Sequence, residues 1–156
     1  MNEAPDDVVA AVANSLRVIQ LAMTGGIAML GLVVAFFYER SGMQPTPQAF
    51  STQQTLSIVT IAYALLVPFI APVLRRSALG EAPTMEKVQA ARIVAAALGE
   101  GASLLGLVAC FLGAMSGALR ARPIYWLDAV PAAVFALWML KTLPTEEDIR
   151  SELAGQ

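Results

Sequence analysis

The sequence predicts an all-α fold: a polytopic membrane protein with four transmembrane helices, short loops and a short C-terminal surface helix. Three observations predict it. The 156 residues are 57% hydrophobic and only 14% charged, whereas soluble domains carry about 25% charged residues. Four stretches are predominantly apolar over roughly 20 residues, the length at which a helix crosses a bilayer. Open strands cannot satisfy their backbone hydrogen bonds in lipid, so each stretch is read as helical.

The spans are placed at about 16–38, 55–74, 93–115 and 124–143 within one domain, residues 1–156. The acidic N-terminus lacks the basic region that precedes a signal core, so the first span is expected to be retained. Between the first two spans, Ser41 to Phe50 carries two prolines and polar residues and is read as loop. Ser51 with Gln54 is read as a capping box opening the second helix. Pro83-Thr84 predicts a third helix starting near Met85. Pro68, Pro72 and Pro131 are expected to kink the second and fourth helices. Trp126 and Trp138 stand near opposite ends of the fourth span, as interfacial anchors do. Thr145 and Asp148 predict a capped helix over Glu146–Leu153, ended by Gly155.

Orientation is read from Lys and Arg. Arg17, Arg75, Arg76, Lys87, Arg92, Lys141 and Arg150 fall on the side of the termini, against Arg40, Arg120 and Arg122 opposite. Both termini are therefore expected in the cytoplasm, and a bacterial inner (cytoplasmic) membrane is the expected location.

Composition narrows function. The chain has no His, which removes His-ligated haem, most zinc sites and His-based acid–base chemistry. One cysteine, Cys110, allows no internal disulfide and no Cys cluster. No metal and no cofactor are expected. A net charge of −2 without a basic tract argues against nucleic acid. No Ser/Lys, paired-Asp or metal constellation lies within the spans, so the chain is not expected to be an enzyme.

The strongest single signal is Glu100. The 23 residues Ile93–Met115 carry no other charge. A carboxylate near the bilayer centre costs about 2.5–3.5 kcal/mol even on gentle insertion scales. Glu100 follows Arg92 by eight residues, or ~12 Å of helix, just short of the ~15 Å half-thickness of the hydrocarbon core. Polar residues also share faces elsewhere: Asn14, Arg17, Gln20 and Thr24 on the first helix, and Ser57, Thr60 and Tyr63 on the second. Three polar faces are expected to meet at one centre. Glu100 with Ser103 is the candidate ion or proton site, and Arg17, Gln20 and Thr60 are its possible partners. It pairs with them to lock the bundle, carries a proton or cation, or binds a ligand or lipid headgroup. Asp128, four residues into the fourth span, is expected to be solvated or paired with Arg120 or Arg122.

Small residues recur at four-residue spacing on the third helix: Ala95, Gly99 and Ser103; Ala102, Gly106 and Cys110; Ala109, Gly113 and Gly117. Such faces let helix backbones approach closely. Gly99, Gly106, Gly113 and Gly117 are therefore assigned to helix packing. The third helix should be the most crowded, either at the centre of the bundle or at an oligomer interface.

Residues 96–112, with Glu100, Gly106-Leu107-Val108 and Phe111-Leu112, resemble the ion-carrying helix of the proteolipid (c-type) subunits of rotary ATPases. The resemblance implies that Glu100 is an ion-binding carboxylate and that the protein forms a ring. It is local. The second helix has no Gly, the Arg-Gln-Pro or Arg-Asn-Pro loop is absent, and the carboxylate is in the third span rather than the last.

Two functions are thus expected to compete. One is a structural or accessory subunit that packs in lipid as a homo-oligomer or with other membrane subunits. The other is a proton- or cation-conducting oligomer with Glu100 as carrier.

Overall fold

A computed structural model describes residues 5–80 and 83–154. Its helices are α1 (Asp6–Arg40), α2 (Pro47–Leu79), α3 (Met85–Met115), a one-turn α4 (Ala118–Ala121), a 3₁₀ segment (Pro123–Ala129), α5 (Val130–Lys141) and α6 (Glu146–Leu153). Four of these stretches, α1, α2, α3 and the 3₁₀–α5 pair, are long and apolar enough to cross a membrane. The protein is a membrane-embedded helical bundle with a short C-terminal helix.

Every other element packs against α3. Its sequence explains this. Gly99, Gly106 and Gly113 recur every seven residues and so lie close to one line on the helix. Each receives a different neighbour. A Cβ on Gly99 would lie 2.4 Å from the Phe135 ring of α5. On Gly106 it would lie 2.0 Å from the Asp128 carbonyl oxygen, and on Gly113 it would lie 2.8 Å from Oε1 of Gln53 in α2. Gly117 ends α3 at φ +77°, where a Cβ would also meet the Met43 carbonyl oxygen at 2.1 Å. Each glycine of this line on α3 is therefore met by a neighbour from within the chain.

Three apolar clusters are stacked along the bundle. At the α6 end, Val9, Ala13 and Leu16 of α1 meet Val88 and Ile149. Their spacing of four and three residues is helical, and it explains why α1 starts ten residues before the predicted span. In the middle, Ile27 meets Ala96, Leu107 and Phe135. At the far end, Val34, Cys110, Leu119 and Tyr125 close the core.

Local signals set the ends. Thr84 caps α3 by accepting the Lys87 N–H at 3.4 Å, so the predicted start at Met85 holds. Thr145 and Asp148 form the predicted capping box of α6, and their hydrogen bonds hold the Asp148 carboxyl below its ordinary range. Ile149 is fully buried, so α6 is docked rather than simply lying on the surface. Glu152 accepts from both Arg92 and Arg75, and Arg150 pairs with Asp6. This ties α6 to α1, α2 and α3. Gly155, the predicted stop, lies outside the described residues.

Two boundaries differ from expectation. The second helix opens at Pro47 rather than near Ser51. Thr46 accepts the Ala49 N–H at 3.2 Å, and Pro47 occupies the first turn, where its missing N–H costs nothing. Ser51 instead offers its carbonyl to the Thr55 hydroxyl at 3.0 Å. The fourth span is divided, with 3₁₀ geometry up to Ala129 and α-helix from Val130. Pro131 has no N–H to give the Leu127 carbonyl, so the tighter turn precedes it. Pro68 and Pro72 lie inside α2, which continues through both.

Gly106→Ala is expected to cost about 1–3 kcal/mol, the range for forced overpacking, because the group in the way is backbone. Gly31→Ala has nothing within 4 Å of the new carbon and should be neutral, or stabilise by up to about 1 kcal/mol. Reversible unfolding in mixed micelles, followed by helical circular dichroism, measures both.

Candidate functional site

The 3₁₀ turn brings a carboxylate inward. Residues three apart eclipse in this geometry, so Asp128 follows Tyr125 onto the face packed on α3; both are buried. Gly106 leaves room for the Asp128 backbone. From the other side, α2 presents Gln53, Ser57 and Thr60 at spacings of four and three residues. Gln53 Nε2 donates to Asp128 Oδ2 at 3.2 Å, and Ser57 Oγ donates to the same oxygen at 2.6 Å. Asp128 Oδ1 and Thr60 Oγ1 are buried without a hydrogen-bond partner among the described residues.

This arrangement corrects the expectation for Asp128. It is 1% exposed and pairs with neither arginine. Arg120 is occupied by the end of α1: it donates to the carbonyls of Ser41 at 3.0 Å, Tyr38 at 2.9 Å and Glu39 at 3.3 Å. Helix C-termini leave such carbonyls without intrahelical donors. Arg122 stacks over the Phe50 ring, 4.5 Å from its centroid.

Glu100 is half-buried. It shares a stripe of α3 with Ala96, Ser103 and Leu107, and it makes no hydrogen bond or ion pair with any described residue. The proposed partners lie elsewhere. Arg17 Nε donates to the Pro144 carbonyl at 2.8 Å, tying α1 to the turn before α6. Gln20 is buried with its Oε1 unpartnered, and Thr60 faces the Gly106 region. Ser103 Oγ is 2.8 Å from the Gly99 carbonyl and 3.3 Å from the Pro131 carbonyl, so it links α3 to α5 rather than serving Glu100. The three polar faces therefore do not converge. The α2 face meets Asp128, while Arg17 and Gln20 of α1 serve the α6 end. Tyr63 turns toward Gly101, with its hydroxyl 3.2 Å from where a Cβ would stand.

Chemically, the Asp128 cluster is one acceptor oxygen with two donors. Among the described residues no group of three Cys, Asp or Glu side chains could hold a metal ion. Cys110 is buried beside the cluster, its sulfur 3.7 Å from the Tyr125 carbonyl. The sequence signal for this site was available: Gln53 extends the Ser57–Thr60 stripe, and a polar stripe in lipid needs a polar partner.

No protein-family model matches the chain, and comparison with curated proteins and with solved structures returns no match.

Removing the carboxylate should loosen the hold on α2. Interhelical hydrogen bonds in membranes are worth about 0.6 kcal/mol on average and up to about 1.7. Asp128→Ala, which strands both donors, is expected to cost about 1–3 kcal/mol on that scale. Asp128→Asn keeps an acceptor for Ser57 and should cost less than half as much. Thermal unfolding in detergent orders the three proteins.

Proposed function

We propose that the chain is a non-enzymatic membrane protein that works by packing against other membrane chains, as a homo-oligomer or as an accessory subunit. The observation that carries this reading is on α1. Gly25 and Gly26 are exposed, with nothing within 4 Å of an added Cβ. Ala22 and Met29 are exposed on the same helix. A glycine inside a helix costs up to about 1 kcal/mol relative to Ala. The α3 glycines return that cost through internal contacts, whereas the α1 glycines do so only against another helix. In lipid, small surfaces are where helices associate. The long apolar face of α2, with Leu65, Phe69 and Val73 exposed, faces the bilayer in this reading.

Residues of α1 and α6 meet at one end of the bundle. The excess of Lys and Arg at that end supports a cytoplasmic placement. A bacterial inner membrane remains the proposed location.

A second reading is favoured by one observation, the absence of a described partner for half-buried Glu100. In that reading the oligomer conducts protons or cations, with Glu100 as carrier.

A photo-crosslinker at Met29 should capture a second membrane chain in native membranes. Gly25→Ile with Gly26→Ile should lower that yield at least fivefold without shifting the thermal midpoint of the monomer. No capture from wild type would contradict the packing role. Proton flux in proteoliposomes separates the readings: Glu100→Gln leaves it unchanged if the role is structural and abolishes it if Glu100 is the carrier.

A further inference from the structure

Between α2 and α5 lies an apolar crevice of about 630 Å³, within the range of about 300–1,000 Å³ typical of ligand pockets. Its floor is the small face of α3: Ala95, Gly99 and Ala102. Leu65, Pro68 and Pro72 form one wall, and Val134, Phe135 and Trp138 form the other. The crevice follows α2 from Ala64 to Arg75, which is about 16 Å at ~1.5 Å per residue. That is about half of a ~30 Å hydrocarbon core, the depth reached by an acyl chain of one leaflet.

The crevice meets a polar pocket of about 510 Å³, and the two share Arg75, Ala95 and Trp138. The polar pocket is lined by three cations, Arg75, Arg92 and Lys141, and two carboxylates, Asp148 and Glu152. One positive charge is left over. Glu152 already engages both arginines, whereas Lys141 has no partner among the described residues. Gln20 lines the same pocket, 8% exposed, with its carboxamide oxygen unpartnered. A tryptophan at the junction fits the headgroup level, where aromatic residues gather.

We infer that crevice and pocket together bind one phospholipid of net charge −1. An acyl chain occupies the crevice, the phosphodiester sits at Lys141 and Arg75, and a headgroup hydroxyl answers Gln20. The charge balance selects an anionic headgroup bearing hydroxyls over a zwitterionic one. An empty apolar crevice would forfeit dispersion contacts, and an acyl chain is the apolar material that the bilayer itself supplies.

Native mass spectrometry of the full chain in detergent tests this with dioleoyl phosphatidylglycerol, dioleoyl phosphatidylethanolamine and free glycerol phosphate. Phosphatidylglycerol should bind about fivefold more tightly than phosphatidylethanolamine, the scale of one basic residue at a membrane surface. Lys141→Ala, at an exposed position, should erase that preference. Ala71→Trp, which fills the crevice from its wall, should lower binding of both lipids at least fivefold. Equal binding of the two lipids would overturn the proposal, as would an unaltered preference in Lys141→Ala. Displacement by glycerol phosphate at concentrations equal to the lipid would show that the crevice is not used, and would also overturn it. Failure of both lipids to bind would overturn it as well.

Discussion

The bundle depends on how closely the Asp128 backbone approaches α3 at Gly106. Apolar side chains gain little by meeting each other rather than lipid tails, so helices in a bilayer hold together through close packing and polar contacts. A Cβ at Gly106 would stand 2.0 Å from the Asp128 carbonyl oxygen. Only glycine lets the 3₁₀ segment lie this close. Its seven-residue companions, Gly99 and Gly113, admit Phe135 and Gln53 in the same way. One line of glycines thus seats α5, the 3₁₀ turn and α2 on one helix.

The attachment of α2 follows from that seating. The buried residues of this 33-residue helix are Gln53 and Thr60. With so little apolar burial, much of its hold on the bundle comes from Gln53 and Ser57 on Asp128 and from close contact with glycine, beside the packing of Phe50 on the far-end cluster. At the opposite end, the Glu152 pair with Arg92 and Arg75 and the burial of Ile149 join α6 to the rest. Between these two attachments α2 stands away from α5, and the apolar crevice opens there. The crevice is a consequence of where the polar contacts lie. It places a space of acyl-chain length next to the polar pocket that Lys141 lines.

Much of this was legible in the sequence. Four apolar stretches marked the spans, and Thr84, Thr145 and Asp148 marked two helix starts, because these signals are local. The start of α2 was misplaced because Ser51–Gln54 and Thr46–Pro47 both spell a cap, and only the proline's fixed geometry separates them. Asp128 was misread for a different reason. Its nearness in sequence to Arg120 and Arg122 suggested an ion pair, but the carbonyls at the end of α1 and the Phe50 ring take those arginines. Glu100 was conspicuous because its own helix is apolar, yet the polar face of α2 meets Asp128 instead. A partner set by three separate elements, through a change from 3₁₀ to α geometry just before Pro131, leaves no local pattern.

The central claim is that Gly106 acts through Asp128 on α2. A double-mutant cycle joining Gly106→Ala and Ser57→Ala, read by reversible unfolding in mixed micelles, tests it most directly. If the alanine displaces Asp128 from Ser57, the second substitution has less left to remove. The double mutant should then be less destabilised than the sum of the singles by at least about 0.5 kcal/mol, the level that marks coupled residues. Additive losses would mean that Gly106 and the Asp128 hydrogen bonds act independently, and would contradict the account.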